Sequence, residues 1–171
     1  AESLVDAILS GWFDGGHASP PCNAFNASLF RPDGPRPVRD RDHLWGFDHD
    51  KLVFGDVLRL EVGNWLARLG ITVCTGLALG ASTASMEHPR DREVHPYASI
   101  WATEGVAAME AAKHSSRPKL VFQRRKQDMC MFGGVAQKSS TTSINCLNSG
   151  CLERACTHPR GYHQESAELA G

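Results

Sequence analysis

The chain has no uninterrupted apolar run near the roughly 20 residues that span a bilayer. Its longest such stretch, around Ile71 to Ala81, is broken by Thr and Gly. A transmembrane anchor is therefore not expected. Ala1-Glu-Ser-Leu lacks a basic segment followed by an apolar core, so it does not read as a secretory signal. The chain also starts without Met, as tag removal, signal cleavage or release from a polyprotein would leave it. Charge of one sign is missing too. Lys+Arg number 18 and Asp+Glu 19, a formal net charge of -1, which disfavours a wholly basic nucleic-acid binder and an acidic tail protein. No internal repeat is visible at the roughly 20–50 residue periods of solenoids.

What remains is a chain of 171 residues, 42% hydrophobic and 22% charged, enough for one domain with a real core. It has six cysteines, at 22, 74, 130, 146, 151 and 156. A chain of this length does not need disulfide staples. Cys74 lies in an apolar run, where a buried free thiol is common. The reading is a reduced, cytosolic protein.

Along the chain, Leu4, Val5, Ile8, Leu9 and Trp12 recur at helical spacing, with Ser3 as cap and Asp6 in the first turn. Residues 14–50 are rich in Gly, Pro, Asp and Arg and read as loops, either an arm wrapped on the domain or a linker. From 51 the texture changes. KLVFGDVLRLEVGN reads as two strands around Gly55-Asp56, because Val57, Arg59 and Glu61 alternate with Leu58, Leu60 and Val62. GITVCTGLALGAS (70–82) reads as a buried strand. Residues 97–109 read as two strands around Thr103-Glu104-Gly105, and 119–123 and 129–135 as further strands. The Ser/Thr-rich QKSSTTS reads as a connector, and 144–156 as a helix ending before Pro159. The expected fold class is α+β: an antiparallel sheet or small barrel with a packed Cys-bearing helix. The expected division is an N-terminal helix and arm (1–50), a main domain (51–158) and a polar tail (159–171).

Several constellations could carry chemistry. Asn145-Cys146 opens the predicted late helix, where a thiol feels the partial positive charge of free amides and its thiolate is favoured. A nucleophilic thiolate needs a base, usually His, and His95 precedes a predicted strand. Cys22, in Cys22-Asn-Ala-Phe after Pro20-Pro21, is a rival nucleophile resembling that of unpermuted NlpC-type peptidases, with a shorter helix behind it. Cys146, Cys151, Cys156 and His158 offer zinc-type donors. Positions five apart on a helix do not share a face, so no metal or other cofactor is assigned. His43, Asp48, His49 and Asp50 read as solvated loop groups. Residues 113–126 hold Lys113, Arg117, Lys119, Arg124, Arg125 and Lys126 with no acid. They could contact RNA phosphates or an anionic membrane surface, or protect a strand edge.

The order of the pieces is more specific than any one of them. Gly55-Asp56-Val57-Leu58 comes first, then His95-Pro-Tyr-Ala-Ser-Ile-Trp, Glu104-Gly105-Val106 and finally Asn145-Cys146. This resembles the H-box/NC family, the permuted papain-like group that includes lecithin retinol acyltransferase, over residues 55–156. Its picornaviral 2A branch, most of all the kobuvirus members, is the nearest likeness in composition. The resemblance implies a permuted papain-like architecture with Cys146 as acyl-accepting thiolate, His95 as base and Asn145 beside them. Active members carry a second His on the hairpin's return strand. Met109 or Glu110 falls there in this chain, and Leu147-Asn148-Ser149 replaces the acidic residue, His and aromatic that follow Asn-Cys in cellular members. The resemblance thus implies a degenerate, non-proteolytic site. It also implies work in viral replication through contacts with host or viral proteins and RNA, in the host cytoplasm and at replication membranes. An active thiol acyltransferase or acyl hydrolase is the alternative.

Overall fold

The computed structural model describes residues 4–132 and 138–158. The first helix, α1, covers Leu4–Leu9. Strand β1 is Gly15–Ala18. A long irregular stretch with two short 3-10 turns leads to α2, Phe54–Leu79. Strand β2 (Thr83–Pro89) follows, then α3 (Glu104–Ala111), β3 (Gln123–Asp128) and β4 (Ser139–Ile144). The sheet order is β1-β2-β4-β3. β1 runs parallel to β2, and the other two pairings are antiparallel. The fold is therefore α+β, with an open mixed sheet in place of the expected antiparallel sheet or small barrel. A parallel pair needs a long crossover, and α2 supplies it.

Helix α2 replaces three expected strands. Its buried positions, Leu60, Asn64, Ala67, Ile71, Cys74 and Leu77 among them, recur every three or four residues; Leu60 and Asn64 pack on the irregular stretch before the helix, and the later ones join the main core with β2. By length and composition α2 could cross a bilayer, which no uninterrupted apolar run revealed. Here it is the central helix of the core, so no transmembrane anchor is required. Gly80 closes it where α1 crosses, and a β-carbon there would sit 2.6 Å from the Ile8 carbonyl oxygen. Gly46, at φ +116, lies against the Leu60 methyls, a conformation and a space that only glycine fits.

The remaining corrections are local. Thr103-Glu104-Gly105 is a helix start and not a hairpin turn: the Val106 amide donates to Thr103 Oγ1 at 3.4 Å, an N-cap. Residues 119–122 are irregular, and β3 begins at Gln123. Met129–Phe132 form a 3-10 turn. The connector QKSSTTS supplies the central strand β4. Two of its hydroxyls have partners within the fold: Ser143 Oγ donates to Glu110 Oε1 at 2.7 Å, and Thr142 Oγ1 accepts from Gln127 Nε2 at 3.0 Å. The expected Cys-bearing helix is instead the end of β4, a turn, and a single 3-10 turn at Ser149–Leu152. The Ser3 cap, residues 133–135 of one expected strand and the tail 159–171 lie outside the described residues.

The core gathers Ile8, Phe25, Ile71, Cys74, Met86 and Trp101 around α2, β2 and α3. Cys74 is fully buried, as its apolar context predicts, and its thiol donates to the Ser85 carbonyl at 3.4 Å. Burial pushes that thiol up to about 12.

Candidate functional site

Cys146 follows Ile144 and Asn145 in the irregular link after β4 and does not stand at the start of a helix. Asn145 is buried and structural. Its Oδ1 accepts from the Ala84 amide at 2.6 Å, its Nδ2 donates to the Ser82 carbonyl at 3.1 Å, and its own amide donates to the Ala84 carbonyl at 3.1 Å. The side chain thus continues the β2–β4 ladder by one more rung.

His95 sits in an exposed turn, with Nε2 3.2 Å from Asp42 Oδ2. The Arg41–Asp91 ion pair at 2.9 Å holds that turn near the Pro89 end of β2. Cys146 leaves from the other end, beyond the Ser85–Ile144 pair. The strand between Ser85 and Pro89 alone spans about 13 Å at 3.3 Å per residue. The register therefore does not bring the thiol and the imidazole together.

Cys22 is half-buried in a single turn closed by the Phe25 amide donating to the Cys22 carbonyl at 2.9 Å. Among the described residues neither Cys22 nor Cys146 is hydrogen-bonded to His95. The histidine near Cys22 is His88 of β2, which sequence reading passed over. Its ring packs edge-on to Phe25 at 5.2 Å and hydrogen-bonds to the backbone carbonyl of Pro21. Nε2 is buried without a partner among the described residues. Burial lowers its pKa to about 4, with Lys138 and Arg39 adding to the effect and Glu87 opposing it. Arg39 is equally hidden. It lies 3.8 Å over the Phe25 ring and donates to the Leu44 carbonyl at 2.9 Å and to Asn64 Oδ1 at 3.0 Å. Burial, with Arg59 nearby, lowers its pKa to about 10. His88 and Arg39 tie the irregular stretch before α2 to the sheet and helix.

The basic segment divides in two. Arg124 is held by both Glu110 oxygens, at 2.8 and 2.9 Å, and lies over Trp101. Arg125 donates to Ser149 Oγ at 3.0 Å and faces Glu153 at 3.3 Å. Lys113, Arg117, Lys119 and Lys126 are exposed.

Among the described residues the most extended unpartnered feature is apolar. Phe54, Leu58, Val62, Trp65 and Leu69 are 86%, 57%, 48%, 65% and 39% exposed. At about 100° per residue they fall within one stripe of roughly 80°, running about 22 Å along α2 opposite its buried face. A groove of about 290 Å³ opens beside the stripe, lined by Pro21, Asn23, Gly55, Leu58, Arg59 and Val62. Cys146 does not line it. The spacing of the stripe was present in the sequence, but apolar residues on the opposite face of the helix obscured it.

No family model, no curated protein and no solved structure matches this chain.

Proposed function

We propose that this chain is a binding protein and not a thiol enzyme: a non-structural 2A protein of the picornaviral H-box/NC kind. It acts in the host cytoplasm and at replication membranes by holding a host or viral protein. The kinship rests on the order of Gly55-Asp56, His95 and Asn145-Cys146 in the sequence. The binding role is carried by the apolar stripe on α2, since exposed apolar patches of this extent mark interaction surfaces. The separation of His95 from Cys146 supports a site without turnover.

The partner that fits is an apolar helix or strand of another protein, with one side chain entering the groove beside Leu58 and Val62. Charges of both signs rim the stripe: Asp56 pairs with Arg59 at 3.1 Å, His49 with Glu61 at 2.9 Å and Lys51 with Asp48 at 2.7 Å. An anionic membrane surface selects a basic rim, so a protein fits better. A photo-crosslinking side chain at position 65 tests this in producing cells. A discrete protein adduct is expected, abolished by Leu58→Lys while the thermal melt is unchanged. An adduct indifferent to Leu58→Lys, self-association through the stripe, or binding only to vesicles would refute this reading.

A second contact, with RNA, is favoured by the acid-free exposed set Lys113, Arg117, Lys119 and Lys126. Reversing Arg117 and Lys119 to Glu should weaken RNA binding at physiological salt more than reversing Arg124 and Arg125, whose charges Glu110 and Glu153 already offset. Equal effects would show that the ion pairs do not govern access.

A further inference from the structure

Three metal-type donors converge at the end of β3, away from α2 and its stripe. β3 finishes at Asp128 and passes directly into the Met129–Phe132 turn, which carries Cys130 inward to 7% exposure. The later segment comes back along the same strand. Gln127 bridges to Arg154, and the Asp128 amide donates to the Arg154 carbonyl at 2.8 Å. The Cys156 amide then donates to Asp128 Oδ2 at 2.8 Å. The backbones of both cysteines are thus fixed against one strand end before any ligand is considered. Cys156 Sγ lies 3.4 Å from His158 Nδ1. Cys130 Sγ, Cys156 Sγ and one His158 ring nitrogen all lie within 4.8 Å of one another.

We propose that Cys130, Cys156 and His158 form a zinc-binding site. Zinc takes thiolate sulfur at about 2.3 Å and imidazole nitrogen at about 2.0–2.1 Å in a tetrahedron. Those lengths separate sulfur from nitrogen by about 3.6 Å and sulfur from sulfur by about 3.8 Å. The Cys156–His158 distance already lies within a few tenths of an ångström of that value. Two thiols and an imidazole select a borderline-soft ion over magnesium or calcium. Zinc takes both sulfurs as thiolates, so protons are released as it binds, and the cation offsets the repulsion between the two charges. Asp128 serves as the outer support, holding the Cys156 backbone and accepting from Ser139 Oγ. The fourth position is left to water. A bound ion would staple the C-terminal segment to the end of β3. The cluster of Asp40, Asp42 and His95 meets the same distance criterion but is mostly exposed and acidic, and it carries no such reading.

The test uses the full chain, reduced and stripped with a chelator. One equivalent of Co²⁺ should give a thiolate-to-metal charge-transfer band together with tetrahedral visible bands, and Zn²⁺ should displace both. Cys130→Ser, Cys156→Ser and His158→Ala should each weaken binding at least tenfold, with unchanged far-UV circular dichroism. Cys22→Ser, Cys146→Ser and Cys151→Ser should leave it unchanged. His158→Cys should retain binding with an altered charge-transfer band. Should Cys130→Ser disturb folding, the half-buried Cys156 and His158 variants decide the matter. The site is refuted by the absence of a charge-transfer band at one equivalent. Binding that survives loss of Cys156 and His158, or that fails equally on loss of Cys146 or Cys151, refutes it as well.

Discussion

His88 should make the protein acid-labile well above the range in which its carboxylates titrate. The ring is 1% exposed, and its pKa falls from 6.5 to about 4 on folding. Between those two values the unfolded chain binds a proton that the folded chain refuses. Stability therefore rises with pH through this window and is fully present above pH 6.5. Each pKa unit is worth about 1.4 kcal/mol, so the whole span amounts to about 3 kcal/mol, of which about 2 kcal/mol is lost between pH 7.5 and pH 5. Ordinary carboxylates titrate near 4, below that interval. The assay is urea unfolding at pH 7.5, 6.0 and 5.0, followed by tryptophan fluorescence, to which the buried Trp101 contributes. For an m-value of about 2 kcal/mol/M the midpoint should fall by roughly 1 M across the range. His88→Gln removes the titration, so its midpoint should be nearly flat with pH, whatever its absolute stability. A wild-type midpoint that does not move, or a slope that survives His88→Gln, would refute this account of the buried imidazole.

Other expectations follow from the same packing. Arg39→Ala strips the partners from the Leu44 carbonyl and Asn64 Oδ1 and opens a hole beside Phe25; it should cost about 3 kcal/mol, lowering Tm by roughly 6–12 °C in calorimetry. Gly46→Ala puts a β-carbon into the Leu60 methyls at a positive φ and should cost about 2 kcal/mol or more in the same measurement. In a native thiol titration at pH 8, exposed Cys151 should react first. Cys74, with a thiolate fraction of roughly one in ten thousand at that pH, should stay silent until denaturant is added. Cys146 should label with iodoacetamide no faster than half-buried Cys22; selective labelling at neutral pH would restore the enzymatic alternative.

The legibility of the chain varied with the contrast between faces. α1 was readable because Leu4, Val5, Ile8 and Leu9 mark a helical pattern among polar neighbours. α2 was not, because its residues are apolar on two opposite faces. Leu60, Ala67 and Cys74 are buried while Leu58, Trp65 and Leu69 face solvent, and the short window from Val57 to Val62 then mimics period-two alternation. β4 was hidden for the opposite reason. Ser140 to Ser143 carry no hydrophobic signal, yet they sit between β2 and β3, where the ladders on both sides satisfy the backbone of a buried strand. Misreading those two elements misplaced the candidate site. With β4 ending at Ile144, Asn145 became a ladder extension and Cys146 lost its helix.

The sequence by itself determined the mixed α+β class, the balanced charge, the buried Cys74 and the donor types available for chemistry. These are properties of composition and local pattern, which do not depend on where distant segments meet. Only the tertiary structure decided which donors become neighbours. Antiparallel register carries His95 and Cys146 to opposite ends of β2, while the return of the chain along β3 brings Cys156 and His158 to Cys130. Pairing over such separations is set by strand register and core packing, and those are fixed by the whole chain folding at once.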